Sequence, residues 1–245
     1  MFPAQMEAIM AGRLDYAAGL RLQAERIEQR RRGERGDTLL LLEHAPVITL
    51  GRNARRENIV ASAVELQRRG IPVIECNRGG DVTWHGPGQL VGYPIFDLRG
   101  WPRGLAALAH PRRSFPGLGP VDYVRGLELA LIAVLAEVGL ATQRLPGLTG
   151  VWTITRPARK IAAIGVHVSR GITSHGFALN LATDLSGFQA IIPCGLSGHE
   201  VTSLERETGA AITLTDAAGL VARHVGLIFE REVEWQSEPA AVTAT

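Results

Sequence analysis

Two long apolar runs, KIAAIGVHVS from Lys160 and ITSHGFALNLAT from Ile172, are separated by Arg170-Gly171 alone. A gap of two residues predicts a tight hairpin turn between antiparallel strands. With that turn Ser169 faces Ile172, Gly165 faces Gly176 and Ala163 faces Ala178. Opposed residues share a face of the sheet, so these small pairs open a shallow trough. Either the glycines and alanines let another element pack closely, or the trough is a channel for something slender and apolar, such as an acyl chain. Arginine is not the preferred residue at the first position of such a turn.

The remaining elements are mixed without strict βαβ alternation. Apolar spacing predicts an amphipathic helix from about Arg13 to Arg32. Strands are expected at Thr38–His44, in PVITLG after Pro46, in IPVIECN, in QLVGYPIFDL and in VWTIT. Ser62 caps a short helix closed by Gly70, and VDYVRGLELALIAVLAEVG reads as a long buried helix. Thr202 to Glu205 matches a capping box for a short helix that stops at Gly209, and a last helix runs from Asp216 to about Phe229. Residues 99–120 are rich in glycine and proline and read as a long loop, with one helical turn at Leu105 to Leu108. The pattern predicts an α+β fold, a mixed β-sheet flanked by helices. Residues 1–235 are expected to form a single catalytic domain, with 236–245 a disordered tail.

Composition narrows the setting. Hydrophobic residues make up 46% and charged residues 20% of the 245, an ordinary globular balance. A net charge of +2 is too small to imply nucleic acid as a partner. Arginines cluster at Arg30, Arg31, Arg32 and Arg35, and at Arg52, Arg55 and Arg56; they are solvated positions or a docking face for an acidic protein. Two cysteines, Cys76 and Cys194, make no disulfide framework. No secretory leader and no run of 18 apolar residues is present, so a cytoplasmic protein without a membrane partner is expected.

Of 26 basic residues Lys160 is the one lysine. Either coding bias left it behind, or the position needs a group that can release and regain a proton, which arginine cannot do. Cys194, in IIPCGLSGHEVTSL, sits between Pro193 and glycine in a loop. It is a buried inert thiol, or a nucleophile if a cation stands close by. His199, Arg78 and Lys160 are the candidate cations. In RGGDVTWHGPGQLVGYPIFDL four glycines and a proline surround His85. This is a binding loop or plain turn chemistry, and His85 a site residue or a histidine bonded to a local carbonyl. His175 and Asn180 serve either a site or the hairpin, and Cys76 shows no role beyond strand packing.

Taken together, RGGDVTWHGPGQLVGYPI, KIAAIGVHVSRGITSHGFALNL and PCGLSGHEVTSL resemble the three signature regions of the lipoyl(octanoyl) transferases, over roughly residues 37 to 230. The resemblance implies the fold shared by lipoate- and biotin-protein ligases. It implies transfer of an octanoyl group from acyl carrier protein to a lysine of a lipoyl domain, an early step of protein lipoylation. The implied acceptors are the lipoyl domains of 2-oxoacid dehydrogenase complexes and the glycine cleavage H protein, with no metal and no cofactor. By motif position Cys194 would be the acyl-thioester nucleophile and Lys160 its partner. Arg78, Gly79, Gly80, Asp81, Val82, Thr83, Trp84 and His85 would line the substrate site, with Ala163, Ile164 and Gly165 and with Gly176, Phe177 and Ala178. One departure is the segment between Leu98 and Val121, longer than that pattern expects. An ammonium beside Cys194 would favour the attacking thiolate, and backbone N–H groups of the glycine-rich loops are candidate oxyanion donors. The rivals are an ATP-dependent lipoate- or biotin-type ligase, which needs no nucleophilic cysteine, a Cys/His thiol hydrolase using His85 or His199, and a non-catalytic carrier-binding protein.

Overall fold

The computed structural model describes residues 4–101, 118–193 and 199–236. The expected turn at Leu105 to Leu108, Cys194 and the tail beyond residue 236 lie outside the described residues. Eleven strands are described: β1 (Ala4–Leu14), β2 (Asp37–His44), β3 (Val47–Leu50), β4 (Val73–Glu75), β5 (Val82–His85), β6 (Gln89–Ile95), β7 (Thr142–Leu145), β8 (Leu148–Thr153), β9 (Lys160–Ser169), β10 (Ile172–Asn180) and β11 (Arg231–Gln236). Eight form one mixed sheet in the order β11-β1-β2-β6-β10-β9-β8-β7, and β4-β3-β5 form a smaller one. The β11, β1 and β2 neighbours are parallel, and the rest of the large sheet is antiparallel.

The predicted hairpin is present. Ser169 pairs with Ile172, Gly165 with Gly176 and Ala163 with Ala178. Arg170 and Gly171 both have positive φ, 52° and 83°, the sign a two-residue turn with right-handed strand twist requires.

Helices cover both faces of the large sheet, because its strands are apolar on both. In β2, Leu39 and Leu41 enter one core while Leu40 and Leu42 enter the other, all fully buried. Each such side chain contributes about 1.5–3 kcal/mol. The larger core lies under α3 (Pro120–Glu137) and α5 (Leu214–Ile228). The other lies under α1 (Tyr16–Arg31), whose Asp15 cap accepts from Ala18 N at 2.6 Å. Short α2 (Ala63–Arg68) closes over the small sheet, capped by Ser62 as expected.

Three expectations need correction. The first helix starts at Tyr16, because Arg13 and Leu14 belong to β1 and pair with Glu43 and His44. The capping box is shifted by one: Ser203, not Thr202, caps α4 (Leu204–Thr208) by accepting from Arg206 N. Thr202 is committed elsewhere, its N–H to Lys160 O and its hydroxyl to Glu207. Finally, β1, β5, β7 and β11 were not anticipated; β11 is half exposed and takes its conformation from the parallel pairing with β1.

Candidate active site

The trough on β9 and β10 is crossed by the loop that follows β4. Gly79 N donates to Val166 O at 2.9 Å, and a Cβ on Gly165 would sit 2.7 Å from Gly79 O. Gly176 faces inward on its own sheet, where a Cβ would meet Gly92 O at 2.2 Å. The small residues admit a crossing element, and a cleft lies between it and the sheet.

The cleft brings together Arg78, Gly79, Gly80, Asp81, Thr83 and His85 from the loop and β5, and Ala163 to Gly165 and Gly176 to Ala178 from the hairpin. Val82 and Trp84 are not brought there. Strand alternation turns them into the core of the small sheet, where Trp84 packs on Phe188 with ring centroids 5.4 Å apart. Arg78 holds the loop down: it donates to Thr49 Oγ1 and O, at 2.8 and 2.7 Å, and to Gly79 O at 3.0 Å. Asp81 is likewise taken up by the fold, accepting from Arg55 N, Val82 N and Asn58 Nδ2.

Tyr16, Val91, Tyr93 and His175 complete the wall. Of these, Tyr16, Val91 and Tyr93 escaped sequence reasoning. A signal existed for Tyr93: a tyrosine in a strand buried on both sides must find a partner for its hydroxyl, and it finds His44 Nε2 at 2.7 Å. His175 has a φ of 55° and bonds Asn77 Oδ1 through Nε2 at 2.7 Å. Burial is the first cause of every shift here. It lowers the pKa of His44 and His175 to about 4 and of His85 to about 3, and raises those of Tyr16 and Tyr93. Near neutral pH these histidines and tyrosines present no charge, which suits an aliphatic ligand.

Lys160 lines two hollows that share wall residues with this cleft. One shares Gly80, Asp81 and Ile164 with it. The other shares Thr83, Ala163 and Ala178 and is also lined by Pro193. Lys160 is buried, with Nζ 4.8 Å from the centre of the Trp152 ring, and His199 meets that same ring at 5.4 Å. Arg78, the third candidate cation, is anchored in the cleft instead.

The chain on either side of residues 194–198 is tied down. On the entry side Ile192 N donates to Asn58 O at 2.7 Å, and Ile191 bridges Ile59. On the exit side Lys160 N donates to Glu200 O at 2.8 Å and Thr202 N donates to Lys160 O at 2.9 Å. Cys76 places its thiol 3.4 Å from Leu50 O, next to Tyr16 and Tyr93 of the cleft wall. No group of three or more metal-ligating side chains is found among the described residues.

Comparison with known proteins fits this geometry. The model of the lipoyl protein ligase A/B catalytic domain matches residues 15–226. A protein named octanoyltransferase from Koribacter versatilis is 50% identical over 230 residues, 94% of this chain and 86% of that one. One of the same name from Acidobacterium capsulatum is 52% identical, covering 93% and 92%. Among solved structures, a bipartite lipoate protein ligase from Thermoplasma acidophilum superposes with a TM-score of 0.68 at 14% identity, over 97% of this chain and 89% of that one. A biotin protein ligase from Aquifex aeolicus superposes with a TM-score of 0.50 at 13% identity, over 91% and 70%. These likenesses are of fold, and the fold is the biotin/lipoate protein ligase-like one.

Proposed function

The chain belongs to the lipoyl protein ligase A/B catalytic-domain family and is an octanoyltransferase, and we propose that it transfers the octanoyl group through a thioester on Cys194 with Lys160 as proton carrier. In the first half, the Cys194 thiolate attacks the carbonyl carbon of the donor thioester. The new S–C bond forms, the bond to the donor sulfur breaks, and that sulfur leaves as a thiol with a proton from Lys160. In the second half, the acceptor lysine amine attacks the Cys194 thioester. Its proton passes to Lys160, the amide forms and the Cys194 thiolate is released. Lysine can run this cycle because it gives up and regains a proton; arginine cannot.

The observation that carries the reading is the bracketing of Lys160. Its N–H and C=O both bond the segment that follows residues 194–198, and Pro193 lines one of the hollows that Lys160 lines. The apolar wall of Val91, Ala163, Ile164, Phe177 and Ala178 in the cleft beside it suits an eight-carbon acyl chain. The donor is octanoyl-acyl carrier protein, and the acceptors are lipoyl domains of 2-oxoacid dehydrogenase complexes and the glycine cleavage H protein. Residues 1–235 act as one catalytic domain, and the protein works in the cytoplasm. No helix among the described residues is long and apolar enough to cross a membrane.

The test is a reaction of octanoyl-acyl carrier protein with an unmodified lipoyl domain and no ATP. The expected product is the octanoylated domain, one group per acceptor lysine. Modification only from free octanoate and ATP would instead make it a ligase, and release of free octanoate would make it a hydrolase.

A further inference from the structure

We propose that Gln89 and Asn180 are positioning residues, whose side-chain amides form a one-way hydrogen-bond chain that locks His85 as its Nδ1–H tautomer and ties it to Thr202, in the segment held against Lys160. The proposal rests on the reading of the cleft and of Lys160 given above.

The direction of the chain follows from its last link. A backbone carbonyl only accepts, and Thr202 O takes Asn180 Nδ2 at 2.9 Å. The amide oxygen of Asn180 must then face Gln89, and Gln89 Nε2 donates to it at 2.8 Å. A second carbonyl, Trp84 O, lies 3.4 Å from the same nitrogen and fixes the same orientation. The oxygen of Gln89 is left for His85 Nδ1, 2.7 Å away. An amide oxygen cannot donate, so Nδ1 carries the proton and Nε2 is a bare lone pair. No hydrogen bond from Nε2 is found among the described residues, and the ring lines the cleft.

The links are buried: His85, Gln89 and Asn180 are 6%, 1% and 3% exposed. A satisfied buried network of this kind rigidifies what it joins. Here it joins the cleft wall to Thr202, whose N–H holds Lys160 O at 2.9 Å. Burial also pushes the His85 pKa down to about 3, so the ring stays neutral while its orientation is fixed.

The experiment is a long-range proton–nitrogen NMR spectrum of the resting protein, labelled at histidine. His85 should appear protonated on Nδ1 alone. Gln89→Met, of similar length but without an amide, should release the ring from that tautomer. It should also slow Cys194 acylation on the order of tenfold while the KM for the acyl donor stays near the wild-type value. A merely structural loss would leave the tautomer alone. A wild-type ring protonated on Nε2, or a Gln89→Met protein that keeps either the tautomer or the rate, overturns the proposal. If the variant does not fold, the wild-type spectrum decides. That spectrum is read without substrate, so failure here is separable from failure of the acyl-transfer reading.

Discussion

Lysine and arginine carry the same charge at neutral pH, yet they differ in what they can do with a proton. In the proposed transfer cycle that difference decides the chemistry at position 160. Lys160→Arg should fold and should still bind octanoyl donor. It should lose transfer by about a hundredfold or more, the scale of a missing general acid–base group; steady-state transfer near the wild-type rate would remove the proton-carrying role. Gly165 makes a different demand. Its Cβ would press on the Gly79 carbonyl at 2.7 Å, backbone against backbone. Gly165→Ala should therefore lower stability by about 1–3 kcal/mol, measured by urea unfolding, and raise the KM for the acyl donor as the loop shifts.

At the scale of elements, the hairpin of β9 and β10 was legible because a two-residue gap fixes turn and register together. Arg170 departs from what such a turn prefers, with a φ of 52°. Arg170→Asn should raise the melting temperature, by about 0.5 kcal/mol of stability, since asparagine tolerates this conformation; an unchanged or lower melting temperature would show that arginine makes a compensating contact. The long helices were legible for the same reason, from spacing that matches one period. Short strands such as β5 and β11 were not. VTWH carries no alternation that stands out within a glycine-rich stretch, and β11 is defined by its neighbour β1 rather than by its own residues. In the site, Ala163, Gly165, Gly176 and Ala178 followed from the register alone. Tyr16 reaches the cleft from the first turn of α1, across a distance no sequence periodicity encodes. Trp84 was placed in the lining because a motif counts consecutive residues, whereas a strand sends alternate ones to opposite sides.

At the scale of the whole molecule, the buried histidines link folding to pH. His44, His85 and His175 have native pKa values pushed by burial from 6.5 down to about 4, 3 and 4. In the unfolded chain they return to about 6.5, so below that pH the unfolded state binds protons that the native state does not. The stability they contribute is complete above about 6.5 and is lost as pH falls toward 4. For one histidine, a shift from 6.5 to about 4 corresponds to ~3 kcal/mol. Urea unfolding at about pH 7.5 and 5 should show a clear fall in stability; a flat profile across that interval would mean the histidines are not held neutral.

In the proposed cycle the acyl group rests on Cys194 between donor and acceptor. The most direct test is the intact mass of the enzyme after incubation with octanoyl-acyl carrier protein, without ATP and without acceptor. Wild type should gain one octanoyl group that hydroxylamine removes at neutral pH, and Cys194→Ala should gain none. A wild-type enzyme that never carries the group while the lipoyl domain is still octanoylated, or a Cys194→Ala enzyme that carries it equally well, would contradict the account.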